Sequence, residues 1–188
     1  YQFKTPKHNW IRVRFKKMKK KITNILNKKR KSKIVSLTAY SKNIAEILDK
    51  YCDIVLVGDS MANVLYGHKD THKISLQNII QHTLSVKKGI KKSLLVVDMP
   101  KGSYSNKRLA LKNARKIMNL TRCDAVKIES NNKNFSIIYE LVKAKIPVMG
   151  HIGFTPQFQK KFKIQGDSIN AIKKLLKEAL TIEKAGAF

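Results

Sequence analysis

Short runs of Val, Ile and Leu alternate along this chain with stretches whose apolar residues recur every three or four positions. Ile54-Val55-Leu56-Val57, Leu94-Leu95-Val96-Val97 and Ala125-Val126-Lys127-Ile128 suit strands covered on both faces, as in a parallel sheet, and the stretches between them suit helices. The first strand is predicted at Ile34–Tyr40, followed by a helix with Ile44, Ile47, Leu48 and Tyr51 on one face. The second strand ends at Asp59, and a loop through Gly67 leads to a helix capped by Ser75 with Leu76, Ile79, Ile80 and Thr83 inward. The third ends at Asp98-Met99-Pro100, where the proline stops it, and Ala110, Ala114, Ile117 and Met118 mark the next helix. The fourth ends at Glu129, with Phe135, Ile138, Leu141 and Val142 following as a helix face. The fifth, Pro147–Gly150, runs into His151, and a last helix carries Ile172, Leu175, Leu176, Ala179 and Ile182 before Gly186 ends it.

Five βα units in succession predict an α/β fold of the (β/α)8 TIM-barrel type, truncated here to its first five units. Closure takes eight units and typically about 250 residues. An open doubly wound sheet is the alternative, and it usually brings a G-x-G-x-x-G phosphate loop. The chain contains no such motif.

Charge changes the picture only at the start of the chain. The formal net charge is +28, and residues 1–33 hold 14 of the 40 Lys and Arg with no Asp or Glu. A basic tail of this kind suits nucleic acid or an anionic membrane. It lacks stacking aromatics beyond Trp10 and Phe15, and Ile, Lys and Asn are used heavily throughout, as an AT-rich coding sequence would dictate. Neither nucleic acid nor membrane is therefore expected as a partner. Met18 opens Met18-Lys19-Lys20-Lys21-Ile22, a fitting start for a short helix with Ile22, Ile25 and Leu26 on one face. Residues 1–17 are accordingly read as a basic extension outside the native protein, and 18–188 as the N-terminal part of a single barrel domain. No apolar run exceeds four residues, which excludes a membrane span or secretory core and points to the cytoplasm. Cys52 and Cys123 occupy matching Cys-Asp positions before two strands and have no metal-type spacing, so both are expected to be buried structural thiols.

Candidate chemistry lies at the strand ends. Asp59, Asp98 and Glu129 close three of the runs in a chain with 12 acidic residues. The C-terminal ends of parallel barrel strands converge on one mouth. Three carboxylates there repel one another unless a cation neutralises them, and oxygen-only donors suit magnesium. Lys127, two residues before Glu129, projects from the same side of its strand. Tyr40 and His151, at the ends of strands one and five, are candidate pocket residues.

Ile34-Val35-Ser36-Leu37-Thr38-Ala39-Tyr40, Leu56-Val57-Gly58-Asp59-Ser60, Val97-Asp98-Met99-Pro100, Val126-Lys127-Ile128-Glu129 and Pro147-Val148-Met149-Gly150-His151-Ile152-Gly153-Phe154-Thr155-Pro156-Gln157 occur in that order. From about Met18 to Phe188 the chain thereby resembles the ketopantoate hydroxymethyltransferase family. The resemblance implies a magnesium-dependent (β/α)8 enzyme of pantothenate biosynthesis, working as a large homo-oligomer. It would transfer a hydroxymethyl (one-carbon) group from methylenetetrahydrofolate to α-ketoisovalerate, giving ketopantoate through a Mg-stabilised enolate. The resemblance places Asp59, Asp98 and Glu129 in the metal region, and Asp59, Ser60, Asp98 and Lys127 against the keto acid. The family's general base is a Glu at the end of strand six, a position beyond Phe188, so no catalytic base is expected in this chain. Two loops depart from the family: Ser130-Asn131-Asn132 stands where Gly-Gly is usual, and Lys160-Lys161-Phe162 where Gly-Gly-Tyr is. The alternatives are a related magnesium barrel of the phosphoenolpyruvate mutase and isocitrate lyase kind, or a basic nucleic-acid-binding protein on a degenerate barrel. The first would need phosphate- or dicarboxylate-binding groups and a lid cysteine motif, which are not found.

Overall fold

A computed structural model describes residues 7–130, 134–159 and 161–188, with side chains from residue 18 onward. Asn131, Asn132 and Lys160, part of the two departing loops, lie outside the described residues. Helix α1 (Lys7–Lys28) is followed by β1 (Ser36–Thr38), α2 (Lys42–Leu48), β2 (Ile54–Val57) and a short α3 (Met61–Val64). Then come α4 (Leu76–Gly89), β3 (Leu94–Asp98), α5 (Lys107–Thr121), β4 (Ala125–Glu129), α6 (Phe135–Lys143), β5 (Val148–His151) and α7 (Ile169–Lys184).

All five strands are parallel and lie in sequence order, β1-β2-β3-β4-β5. Every βα unit therefore steps in the same direction, with no reversal of strand order. That is the winding of a (β/α)8 barrel and not of a doubly wound sheet, which must reverse at a switch point. Phe188 continues the pattern, its N–H donating to the Val148 carbonyl beside β5 at 3.0 Å.

Strand alternation sorts the core into two layers. Val55, Val57, Leu95, Val97, Val126, Ile128 and Val148 point outward into the helices. Ile54, Leu94, Val96 and Ala125 point to the concave side, where Ile25 of α1 joins them and Leu56 and Met149 line the margin. Helix α1 thus lies across the N-terminal end of the sheet. Lys21 Nζ reaches Asp124 at 2.9 Å and Lys28 Nζ reaches Asp53 at 2.6 Å. The same two carboxylates accept the N–H groups of Leu95 and Val35. The helix runs unbroken across the 17/18 boundary drawn from the sequence. Cys52 and Cys123 are both buried and form no disulfide, as their pattern indicates. No helix among the described residues is long and apolar enough to cross a membrane.

Four expected details differ, the first being that Phe135 of α6 is exposed while Ile137, Ile138 and Leu141 are buried. The first strand is three residues long, not seven, and Ile34, Val35 and Leu37 are exposed because β1 is an edge strand paired on one side only. In α2 the buried residue is Ala45, while Ile44 and Ile47, and Tyr51 in the turn after the helix, are exposed. Close approach to α4 decides this: a Cβ on Gly89 would lie 2.5 Å from the Lys42 carbonyl oxygen and 3.0 Å from Ala45 Cβ, so only small side chains fit that seam. On α7, Ile182 and Glu178 are buried while Ile172 and Leu176 are exposed. The expected Ser75 cap is present as a capping box with Asn78.

Candidate active site

The alternation that builds the concave layer also builds the site. Leu94 and Val96 point to the concave side, so Asp98, two residues on, does too; from Ala125 the same step carries Lys127 and Glu129. Asp98 and Lys127 are register partners between β3 and β4, and Glu129 and His151 between β4 and β5. The Lys127 ammonium donates to Asp98 Oδ1 at 2.5 Å, and the other oxygen of Asp98 accepts the backbone N–H of Asp59 at 3.1 Å. A Cβ at Gly58 would stand only 3.0 Å from Ser60 Oγ and 3.4 Å from Asp98 Oδ2, so the crowding there is against Ser60. Asp59, Asp98 and Glu129 are all buried.

Burial and crowding set the electrostatics. Desolvation, then the negative charge of Asp98, pushes the Asp59 carboxyl up to about 6 despite a hydrogen bond from Gln157. Burial, with the repulsion of Asp59, pushes Glu129 up to about 7. Burial alone would lower the Lys127 ammonium, but Asp98, Asp59 and Glu129 outweigh it and hold its affinity for the proton above the ordinary value. His151 is pushed down to about 4, by burial first and by Lys127 second, so it is a neutral imidazole at pH 7. Its 3.7 Å approach to Glu129 is therefore not an ion pair, and its buried Nδ1 has no hydrogen-bond partner among the described residues.

Tyr40 and Ser60 meet at 2.7 Å between their hydroxyls, on the β1 side of Asp59. The site residues named from the sequence are thus gathered at one end of the sheet. Asp59 and Asp98 form an adjacent pair, but no three His, Cys, Asp or Glu side chains among the described residues are grouped to hold an ion. Glu129 is turned toward Gln157 instead, whose backbone N–H it accepts at 2.9 Å.

Gln157 and Tyr104 were not singled out from the sequence. Gln157 is buried and touches Asp59, Glu129, Met99 and Tyr104. The available signals were an amide closing the Gly150–Gln157 motif and a lone aromatic in the polar stretch Gly102-Ser103-Tyr104-Ser105-Asn106. His82, which has no partner pattern in the sequence, is half-buried and bridges the Tyr66 hydroxyl (2.9 Å) to the Tyr40 carbonyl (2.8 Å).

Fold and site together define a parallel βα-barrel domain with a buried, lysine-balanced acidic mouth at the C-terminal strand ends. A family model described as ketopantoate hydroxymethyltransferase matches residues 19–188. The 3-methyl-2-oxobutanoate hydroxymethyltransferase of Pelagibacter ubique (strain HTCC1062) is 52% identical over 171 residues, covering 91% of this chain and 66% of that protein. The chain belongs to the ketopantoate hydroxymethyltransferase family. It spans about two thirds of the length of the curated relatives it matches. Among solved structures it is similar to 2,3-dimethylmalate lyase, a PEP mutase/isocitrate lyase superfamily member (TM-score 0.63, 14% identity, 93% of this chain and 61% of that one). It is also similar to phosphonopyruvate hydrolase in complex with oxalate and Mg++ (TM-score 0.63, 11% identity, 83% and 56%). At such identities these two likenesses speak for the fold alone.

Proposed function

We propose that this chain supplies the metal- and keto-acid-binding part of an enzyme that transfers a hydroxymethyl group from methylenetetrahydrofolate to 3-methyl-2-oxobutanoate, forming ketopantoate. The observation that carries the reading is the Asp59–Asp98–Lys127 constellation: two adjacent buried carboxylates and one largely buried ammonium on neighbouring strand ends. Magnesium commonly binds through one or two carboxylates plus water and substrate oxygens, so this pair of hard donors fits it without a third ligand. Burial, and after it the repulsion of neighbouring carboxylates, raises the pKa of both Asp59 and Glu129, and a bound cation would offset that repulsion. Phosphonopyruvate hydrolase, similar in fold, has been solved with Mg++ and oxalate, a small dicarboxylate.

Asp59 and Asp98 would hold the ion, and Glu129 would add the third negative charge of the region. When bound, magnesium polarises the carbonyl of a 2-oxo acid and acidifies the hydrogen on the adjacent carbon. Lys127, kept protonated by Asp98, presents a cation to the substrate carboxylate. Ser60, its hydroxyl held by Tyr40, offers that carboxylate a hydrogen bond. His151, neutral and with an unpartnered Nδ1, stands at the β5 side of the mouth as a polar wall. The folate co-substrate and a homo-oligomeric enzyme follow from family membership as parts of the same proposal.

Calorimetry tests the reading on the 188-residue chain. 3-Methyl-2-oxobutanoate should bind in the presence of Mg2+ and not in EDTA, and Asp98→Ala should abolish the Mg2+-dependent part. Binding indifferent to chelator, or unchanged in Asp98→Ala, would refute the metal assignment.

A further inference from the structure

Gln157 lies in the turn that follows β5, closed by the Phe158 N–H donating to the Thr155 carbonyl at 2.9 Å. Its side chain is 2% exposed, and both ends of its amide are occupied. Nε2 donates to Asp59 Oδ2 at 2.8 Å and to the Met99 carbonyl at 3.0 Å. Oε1 accepts from the Tyr104 hydroxyl at 2.5 Å. The backbone N–H of the same residue donates to Glu129 Oε2 at 2.9 Å. One residue of the β5 loop thus ties together the ends of β2, β3 and β4.

The orientation of this amide is determined by its surroundings. The Met99 carbonyl can only accept, as can Asp59 Oδ2 when ionised, so reversing the amide would set oxygen against oxygen. The Tyr104 hydroxyl, itself buried, favours the same orientation by donating to Oε1. One oxygen of Asp59 and one of Glu129 are therefore fixed in direction by a neutral group. Buried carboxylates that repel each other would otherwise rotate apart, or draw Lys127 away from Asp98.

Resting on the reading of Asp59 and Asp98 as magnesium ligands, we infer that Gln157, held by Tyr104, is the positioning residue of the metal site: it pre-sets the Asp59 carboxylate before the ion arrives and thereby makes the site selective for a small, geometrically strict cation. Magnesium demands near-ideal octahedral geometry, whereas calcium accepts irregular coordination at longer distances. A carboxylate released from its clamp should lose magnesium far more than calcium. Groups that orient the side chains bound to a metal are typically worth about 10- to 100-fold in metal affinity.

The test is a pair of calorimetric titrations, Mg2+ and Ca2+, on the wild-type chain and on Gln157→Ala, Tyr104→Phe and Asp98→Ala. Gln157→Ala should weaken Mg2+ by about 10- to 100-fold and Ca2+ much less, so the Mg2+/Ca2+ affinity ratio falls. Tyr104→Phe, which removes one hydrogen bond, should shift the ratio the same way by about 2- to 10-fold. A merely structural loss would weaken both ions alike and leave the ratio unchanged, overturning the inference. Should Gln157→Ala fail to fold, Tyr104→Phe decides by the same ratio. If Asp98→Ala abolishes binding while the Gln157 and Tyr104 variants keep the wild-type ratio, the positioning role fails and the metal site stands. If Asp98→Ala binds as wild type does, the metal assignment fails and takes the inference with it.

Discussion

Lys127→Met replaces a largely buried ammonium by an apolar chain of similar length and leaves the buried Asp98 without its ion-pair partner. Asp98 is 3% exposed, and its second oxygen already accepts the Asp59 N–H, so it cannot turn to water without breaking that bond. Two unit charges about 4 Å apart attract by about 4 kcal/mol at an effective dielectric near 20, and the Lys127–Asp98 pair is closer than that. Removing one partner of a buried pair costs about 3–5 kcal/mol, because the other charge stays buried and unpaired. For a chain of this size, at about 2–4 °C per kcal/mol, the melting temperature should drop by about 6–20 °C. Two companion measurements separate this cause from simple repacking. Asp98→Asn added to Lys127→Met removes the orphaned charge and should recover most of the loss. A divalent ion should do likewise: at 100 times its dissociation constant a ligand of the native state contributes about 2.7 kcal/mol. Thermal unfolding by circular dichroism in EDTA, then in excess Mg2+, reads all three. A Lys127→Met chain that melts with the wild type in EDTA would refute the assignment of Lys127 as the charge that balances the acidic mouth.

Two further outcomes follow from packing and protonation. Glu129 has its pKa raised from 4.5 to about 7 in the folded chain, so its contribution to stability is fully present below about 4.5 and is lost as the pH rises through about 7. Between pH 5 and 8, in EDTA, the urea midpoint of the wild type should therefore fall relative to that of Glu129→Gln, and parallel profiles would contradict the shift. Gly89→Ala sets a methyl group 2.5 Å from the Lys42 carbonyl and should push α2 from α4 at a cost of about 1–3 kcal/mol. An unchanged urea midpoint would show that the seam is not tightly packed.

The sequence revealed strands and strand ends well, because both depend on local pattern. Uninterrupted Val-Ile-Leu runs mark β2 and β3, and a step of two from Ala125 is enough to place Lys127 and Glu129 on one side. The inward face of a helix was less legible where a neighbour came very close. Ile44, Ile47 and Tyr51 make the more convincing apolar stripe, yet α2 buries Ala45 because Gly89 brings α4 against it. The acidic pair was readable as two strand-end carboxylates, but its supports were not. Gln157 and Tyr104 sit in loops, where φ and ψ follow no period, and their meeting across 53 positions is decided by tertiary placement alone. His82 is of the same kind: nothing in its neighbours announces the 42-residue reach to Tyr40.

Lys21, near the beginning of the chain, finds its carboxylate at Asp124, 103 positions later, and Lys28 finds Asp53 after 25. Synthesis is vectorial, so the leading helix leaves the ribosome well before half of its docking surface exists. At about 5–20 residues per second, the interval between making Lys21 and making Asp124 is about 5–20 seconds. Throughout that time a strongly cationic, amphipathic segment stands beside a growing sheet with Ile25 uncovered. Until the fourth strand arrives to receive it, Lys21 has no Asp124 to pair with, and its charge stays in water.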